Sequence, residues 1–250
     1  MSGHNKWSTI KHKKGAADAK RGKVFTKLIR EITIAARLGG GDPDGNPRLR
    51  RAMDAARAAN MPSDNITRAI KKGTGELEGV QYEELTYEGV GPAGTLFLLD
   101  VMTDNRNRTN PELRKVFERH NGQLGSAGSA AWAFDEKGVI QVAKDQADEE
   151  TIFDAAVGAG AEDVQDLGEA WLVRTEKEDL DAVSKALQEG GMETTSVELA
   201  KLPKTIKEVG GRDAEVLVNL VEALEDHDDV QKVSSDFELS EDALAALSSQ

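Results

Sequence analysis

The sequence predicts an α+β protein: an N-terminal three-helix domain followed by two α/β sandwich domains, one inserted in the other. Three observations lead there. Up to residue 79 the apolar residues recur at helical spacing, and from Tyr82 the period changes to that of strands. Residues 138–201 then alternate as βαββαβ, the ferredoxin-like order. The stretches flanking that unit each lack a core of their own, and together they supply enough strands and helices to close one. The expected domains are therefore 1–79, 80–134 plus 204–240, and 135–203, a division that a chain of 250 residues accommodates.

The first helix runs from Lys20 to near Leu38. Phe25, Leu28, Ile29, Ile32 and Ala36 share one arc, and Lys20, Lys23, Lys27, Arg30 and Arg37 share the other. The glycine-rich stretch 39–45 is a loop, after which Asn46-Pro47 reads as N-cap and first turn of a second helix. Leu49, Met53 and Ala56 line its inner face, with Arg48, Arg51 and Arg57 off it. Met61-Pro62 breaks that helix. Ser63 or Asp64 caps a third, with Ile66 and Ile70 inward, Lys71 and Lys72 in the last turn and Gly73 as its stop.

Tyr82–Glu88 and Thr95–Met102 read as strands, the second apolar enough to be buried on both faces. Asn110–His120 is a helix, and Gln123–Phe134 a Gly/Ser/Ala loop entering a strand. The inserted unit takes strands at 139–142, 163–166, 170–174 and 194–200 and helices at 149–159 and 178–188. A strand at 205–209, a helix at 214–224 and a strand at 230–239 complete the outer domain. Ser240–Gln250 is a frayed tail or a short helix.

Charge is segregated. Residues 1–72 hold 17 basic and 6 acidic residues, a net of +11, whereas the remainder holds 15 and 39 in a chain of net −13. Such an end attracts a polyanion, and the rest of the chain repels one. Residues 135–203, with 6 basic and 18 acidic residues, are a poor phosphate surface. The absence of cysteine removes disulfides, thiolate metal sites and a cysteine nucleophile. With no apolar leader and no spanning run, the cytoplasm is the expected location and no membrane partner is expected.

Gly89-Val90-Gly91-Pro92-Ala93-Gly94 matches the dinucleotide-binding spacing, but a strand follows where that site needs a helix N-terminus, and Pro92 lacks a donor. It reads as a hairpin turn, and no cofactor is expected. His4, His12, His120 and His227 have no ligand spacing, and no metal site is expected. Asp226, Asp228 and Asp229 lack the glycine and terminal glutamate of a calcium loop and read as a solvated helix end.

Lys6, Lys11, Lys13, Lys14, Lys20, Lys23, Lys27 and Arg30 are the candidate phosphate contacts. Arg106 and Arg108, within Met102–Thr109, are further candidates. There Asn, Arg and Thr can bind phosphate, base edges or ribose; equally, Asn105, Asn107 or Thr109 can cap the helix while the arginines pair with nearby carboxylates. Two function classes compete with a nucleic-acid-binding regulator. One is an enzyme using Asp104, Arg106 and Arg108, which no nucleophile, base or cofactor motif accompanies. The other is an acidic scaffold that binds basic proteins.

Gly3-His4-Asn5-Lys6-Trp7, Ile10-Lys11-His12-Lys13-Lys14, Asp42-Pro43 and 60–66 resemble the YebC/PmpR family, as do Tyr87-Glu88-Gly89, 103–109 and 124–129. His120-Asn121-Gly122, where that family carries a Gly-Gly pair, and Ala130, where it carries Val, depart from the pattern. The resemblance implies an all-helical first domain, two α+β domains and no enzymatic activity. It also implies a probable transcriptional regulator that binds DNA, or a translation factor acting at the ribosome; the segregated charge and the polar stretches 103–109 and 122–129 then point to ribosomal RNA as the partner.

Overall fold

The computed structural model describes residues 17–248. Helix α1 (Ala17–Gly39), α2 (Pro47–Ala58) and α3 (Ser63–Thr74) form one bundle. Ile32, Ala35, Ala36, Leu49, Ala52, Ala56, Met61, Ile66 and Ala69 make its core. Asn46 caps α2 by accepting from Leu49 N at 3.1 Å, and its side-chain amide donates to Ala35 O and Gly40 O at 2.8 and 2.9 Å. One buried side chain thus starts the second helix and holds it to the end of the first. Two expectations for α3 change. Its N-cap is Pro62, with Ser63 already helical, and the left-handed C-cap is Gly75. Gly73 lies within the helix because α1 crosses there; a Cβ would stand 2.4 Å from Thr33 O.

Strands β1 (Glu83–Val90), β2 (Leu96–Thr103), β3 (Gln123–Leu124) and β9 (Val230–Ser235) form an antiparallel sheet in the order β3-β1-β2-β9. Helices α4 (Arg106–Arg119) and α7 (Gly211–Glu225) cover one face. Phe97, Leu99 and Val101 of β2 meet Leu113, Phe117, Leu217, Leu220 and Leu224 there, with Phe97 edge-on to Phe117 at 5.8 Å. Leu98 points to the opposite face, where Ala130, Ala133 and Phe134 cover it. The strand is buried on both faces, as its run of apolar residues requires. The Gly91–Thr95 segment is the expected hairpin turn, with Gly91 N donating to Thr95 O at 2.8 Å.

Helix α4 begins four residues earlier than expected and runs through Pro111. Asn105 caps it by accepting from Arg108 N, and anchoring of Arg108 and Thr109 (below) holds the turn that precedes the proline. The last expected strand is also divided. At Asp236 the chain leaves the sheet, and β10 (Phe237–Leu239) pairs in parallel with β8 (Lys207–Val209). The Asp236 carboxylate accepts from Leu96 N at 2.7 Å, which fixes the break. Residues 241–248 form helix α8.

Strands β4 (Phe134–Ala143), β5 (Asp163–Asp166), β6 (Ala170–Glu176) and β7 (Thr194–Pro203) form the second antiparallel sheet, in the order β5-β6-β4-β7. With α5 (Glu149–Gly158) and α6 (Leu180–Glu189) this is the predicted βαββαβ sandwich. Ile140, Ile152, Trp171, Val173, Leu180 and Leu187 fill its core. Its ends meet, since Phe134 pairs with Pro203. Deleting residues 135–203 and closing the gap with a short glycine linker is therefore expected to leave a cooperatively melting remainder, and the excised piece is expected to melt cooperatively too. A non-cooperative thermal transition in either counts against the division.

Candidate nucleic-acid interface

Lys6, Lys11, Lys13 and Lys14 lie outside the described residues, and for Lys20 only the helical backbone is described. The next three candidates face inward, onto the C-terminal end of α7. Lys23 Nζ lies 2.6 Å from Asp226 Oδ1 and donates to Asp226 O at 3.2 Å. Lys27 Nζ donates to Glu225 O at 2.7 Å, and burial lowers its pKa despite the surrounding carboxylates. Arg30 Nη1 reaches Asp228 O, Met102 O and, at 3.0 Å, Asp229 Oδ1, with its guanidinium over the Tyr82 ring. The last carbonyls of a helix lie beyond its internal hydrogen-bond ladder and carry its negative end, which makes this a natural seat for cations.

Asp229 is the hub of that contact. Its side chain is 2% exposed. Besides Arg30, it accepts from Thr109 Oγ1 at 2.7 Å, Arg108 Nη2 at 2.8 Å and Thr103 Oγ1 at 3.2 Å. Burial alone would lift its carboxyl, but the Thr109 and Arg108 hydrogen bonds and the charges of Arg108 and Arg30 hold it below the ordinary value. The Arg108 guanidinium is raised in turn, chiefly by its bond to Asp229. The expected solvated acidic cluster is thus corrected: Asp229 is buried and ties α1, the start of α4 and the α7–β9 loop together. In sequence, only the threonine spacing at 103 and 109 hints at a shared acceptor.

Arg106 and Arg108 are not brought together. Arg108 also pairs with Asp104 at 3.0 Å, so the local-pairing alternative holds for it. Arg106 is exposed and has no partner among the described residues. Further along α4, Arg114, Lys115 and Arg119 are likewise exposed and unpartnered among those residues. On α3 the same is true of Arg68, Lys71 and Lys72, three and four residues apart on the face opposite Ile66 and Ala69. In the sequence Lys71 and Lys72 read only as a helix end, and Arg68, Arg114 and Arg119 carry no local signal that sets them apart. By contrast, Arg48 joins Glu31 and Glu84, and Arg51 joins Asp181. Among the described residues no group of His, Cys, Asp and Glu is placed to hold a metal ion.

The 124–131 loop is organised by Glu88, 8% exposed at the end of β1. Its carboxylate accepts from the backbone amides of Gly128, Ala130 and Ala131 at 2.6, 2.5 and 2.8 Å. Burial opposes ionisation, but these three donors lower the pKa. Beside the loop Trp132 is 67% exposed. Glu88→Ala removes the acceptor of three amides and is expected to destabilise the protein by about 2 kcal/mol. Amide exchange at residues 128–131 is expected to accelerate with it; unchanged protection there would refute the role assigned to Glu88.

A family model described as the TACO1/YebC second and third domain matches residues 82–237, and one described as the TACO1/YebC protein N-terminal domain matches residues 5–76. A probable transcriptional regulatory protein of Desulfatibacillum aliphaticivorans is 57% identical over 98% of this chain and 99% of its own length. One from Geobacter sulfurreducens is 56% identical over 99% of this chain and 100% of its own. The crystal structure of a conserved hypothetical protein from Aquifex aeolicus matches with a TM-score of 0.86 at 45% identity, over 93% of this chain and 96% of that one. No helix among the described residues is long and apolar enough to cross a membrane.

Proposed function

Since the chain belongs to the TACO1/YebC family, we propose that it is a nucleic-acid-binding regulator of gene expression, acting in the cytoplasm through phosphate contacts made by its helical bundle. The observation that carries this reading is the α3 face. Arg68, Lys71 and Lys72 stand exposed with no partner among the described residues, in a chain of net −13 where many cations are matched to carboxylates. The basic residues 6–14 add to the same end. Such cations position a polyanion without reading its sequence.

A fragment of residues 1–75 is expected to keep most of the affinity for duplex DNA and structured RNA in a filter-binding assay, with the steep salt dependence of about 4–8 phosphate contacts. Binding by 76–250 as strong as that of the whole chain would sink the proposal and favour another phosphate surface.

Within this reading RNA is the favoured partner, and ribosomal RNA the specific candidate. The second basic surface, α4 with Arg106, Arg114, Lys115 and Arg119, is neighboured in sequence by a loop with exposed Trp132, a suitable stack for an unpaired base. Cross-linking in cells with sequencing of RNA and DNA partners tests it. Enrichment of ribosomal RNA that falls on Arg106→Ala supports translation control; discrete promoter DNA peaks without it support transcription control.

A further inference from the structure

The contact between the helical bundle and the rest of the molecule is made of charge rather than of core. The bundle's hydrophobic cluster draws only on α1–α3 and the Met61 turn that joins the last two, and the clusters of the two sandwiches draw on neither. What bridges them is the α1 stripe on the end of α7, Arg48 with Glu84, Arg51 with Asp181, and Arg37 Nη2 donating to Tyr82 O at 2.6 Å. Behind these lies an open cleft of about 800 Å³ where the three units converge, lined among others by Lys27, Arg48, Glu84, Asp100, Glu198 and Lys232. A polar interface of this kind permits relative motion of the units it joins.

Two further features keep the closed arrangement from being deeply stable. Arg30 Nε and Gln231 Nε2 are buried without a hydrogen-bond partner among the described residues, and Gln231 lines the cleft. Lys27 is held where its charged form is disfavoured by burial. The groups that seat Lys23, Lys27 and Arg30 are carbonyl oxygens and carboxylates, which offer these cations the same kind of anionic ligand as a phosphate backbone.

We propose that the seat of α1 on the α7 end is a latch opened by nucleic acid: phosphates displace the carbonyls and carboxylates of residues 225–229 from Lys23, Lys27 and Arg30, and the bundle swings away. The inference rests on the reading that this protein binds nucleic acid. Closed, the chain shields part of its basic stripe with its own acidic end. Open, the stripe joins the α3 face and enlarges the phosphate surface. A ligand that binds only the open form shifts the population in proportion to that preference, and its apparent affinity is reduced by the fraction of chains that are open.

The absence of cysteine makes the test direct. Ala58→Cys on α2 and Glu215→Cys on α7, both exposed, place a donor and an acceptor dye across the latch in the full-length chain. Energy transfer is followed while duplex DNA or an RNA hairpin is titrated in. The dye separation is expected to lengthen on binding. Asp226→Asn with Asp228→Asn removes negative charge from the α7 end and no cation, so it is expected to lengthen the separation without ligand. If about a tenth of the chains are open at rest, that variant binds about tenfold more tightly. Binding with an unchanged separation, or no gain in affinity for the variant, overturns the latch and leaves the proposed function standing. Failure of both proteins to bind either nucleic acid overturns that function and the latch together.

Discussion

Asp229→Ala is expected to be the most destabilising single substitution near the bundle contact, costing about 3 kcal/mol because it strands the enclosed Arg30 guanidinium and two buried hydroxyls. Arg30, 12% exposed, loses its carboxylate, and the Thr103 and Thr109 hydroxyls lose their common acceptor. Asp229→Asn keeps an oxygen for the threonines and is expected to cost less. Urea titration checks both, the midpoint falling while the slope with denaturant stays constant. A loss below about 1 kcal/mol for the alanine variant would remove Asp229 as the hub. The same group sets a pH dependence. Its carboxyl is held below the ordinary value in the folded state, so its stabilisation is present at neutral pH and is lost as pH falls through that lowered value. Glu88 acts in the same direction. Asp236 opposes them, because burial raises its carboxyl and its cost is relieved by protonation. Flattening of the acid limb in Asp229→Asn is the expected signature.

Reversing the α3 face, Arg68→Glu with Lys71→Glu and Lys72→Glu, is expected to weaken nucleic-acid binding by two orders of magnitude or more, roughly the loss of three phosphate contacts plus new repulsion. All three side chains are exposed and lack partners among the described residues, so the fold is expected to be spared. The discriminating quantity is the slope of log affinity against log salt, which should fall by about 2–3 and by the same amount for every sequence tested. Reversal of Lys11, Lys13 and Lys14 is expected to act alike. Reversal of Lys177 and Lys185, exposed cations of the acidic sandwich, is the control that should leave the slope unchanged. An unaltered slope in the α3 variant would remove that face from the interface.

Where the physics is local, the sequence was legible. Asn46-Pro47 announces its helix because a cap and a pre-set φ act within one turn, and Asp163–Asp166 shows its strand beside the Gly168 turn. The βαββαβ order follows from period alone. What local pattern conceals is tertiary partnership. Gly73 reads as a stop, yet it is a crossing point with Thr33, 40 positions away in the chain. Lys23, Lys27 and Arg30 show the right arc for a polyanion, and nothing nearby in sequence reveals that residues 225–229 occupy it. Asp229 stands among acidic neighbours that are exposed, and its burial depends on a contact of three separate segments. Charge type can be read from a single residue. Whether that charge faces water cannot.

The meeting of Phe134 with Pro203 also bears on how the molecule assembles. Pairing Phe97 with Ser235 joins positions 138 apart, a slow closure for an unstructured chain. If the inserted sandwich forms first, its ends arrive side by side and the segment it comprises ceases to count as slack. The effective loop is then roughly halved, which lowers the entropy of closure by only about 0.6 kcal/mol. The larger gain is in order of events: the sandwich with local contacts becomes the template, and β9 is delivered to β2 as a consequence. Destabilising the second core, as with Ile140→Ala, is therefore expected to slow formation of the first sheet, although no atom of Ile140 belongs to that sheet's hydrophobic cluster.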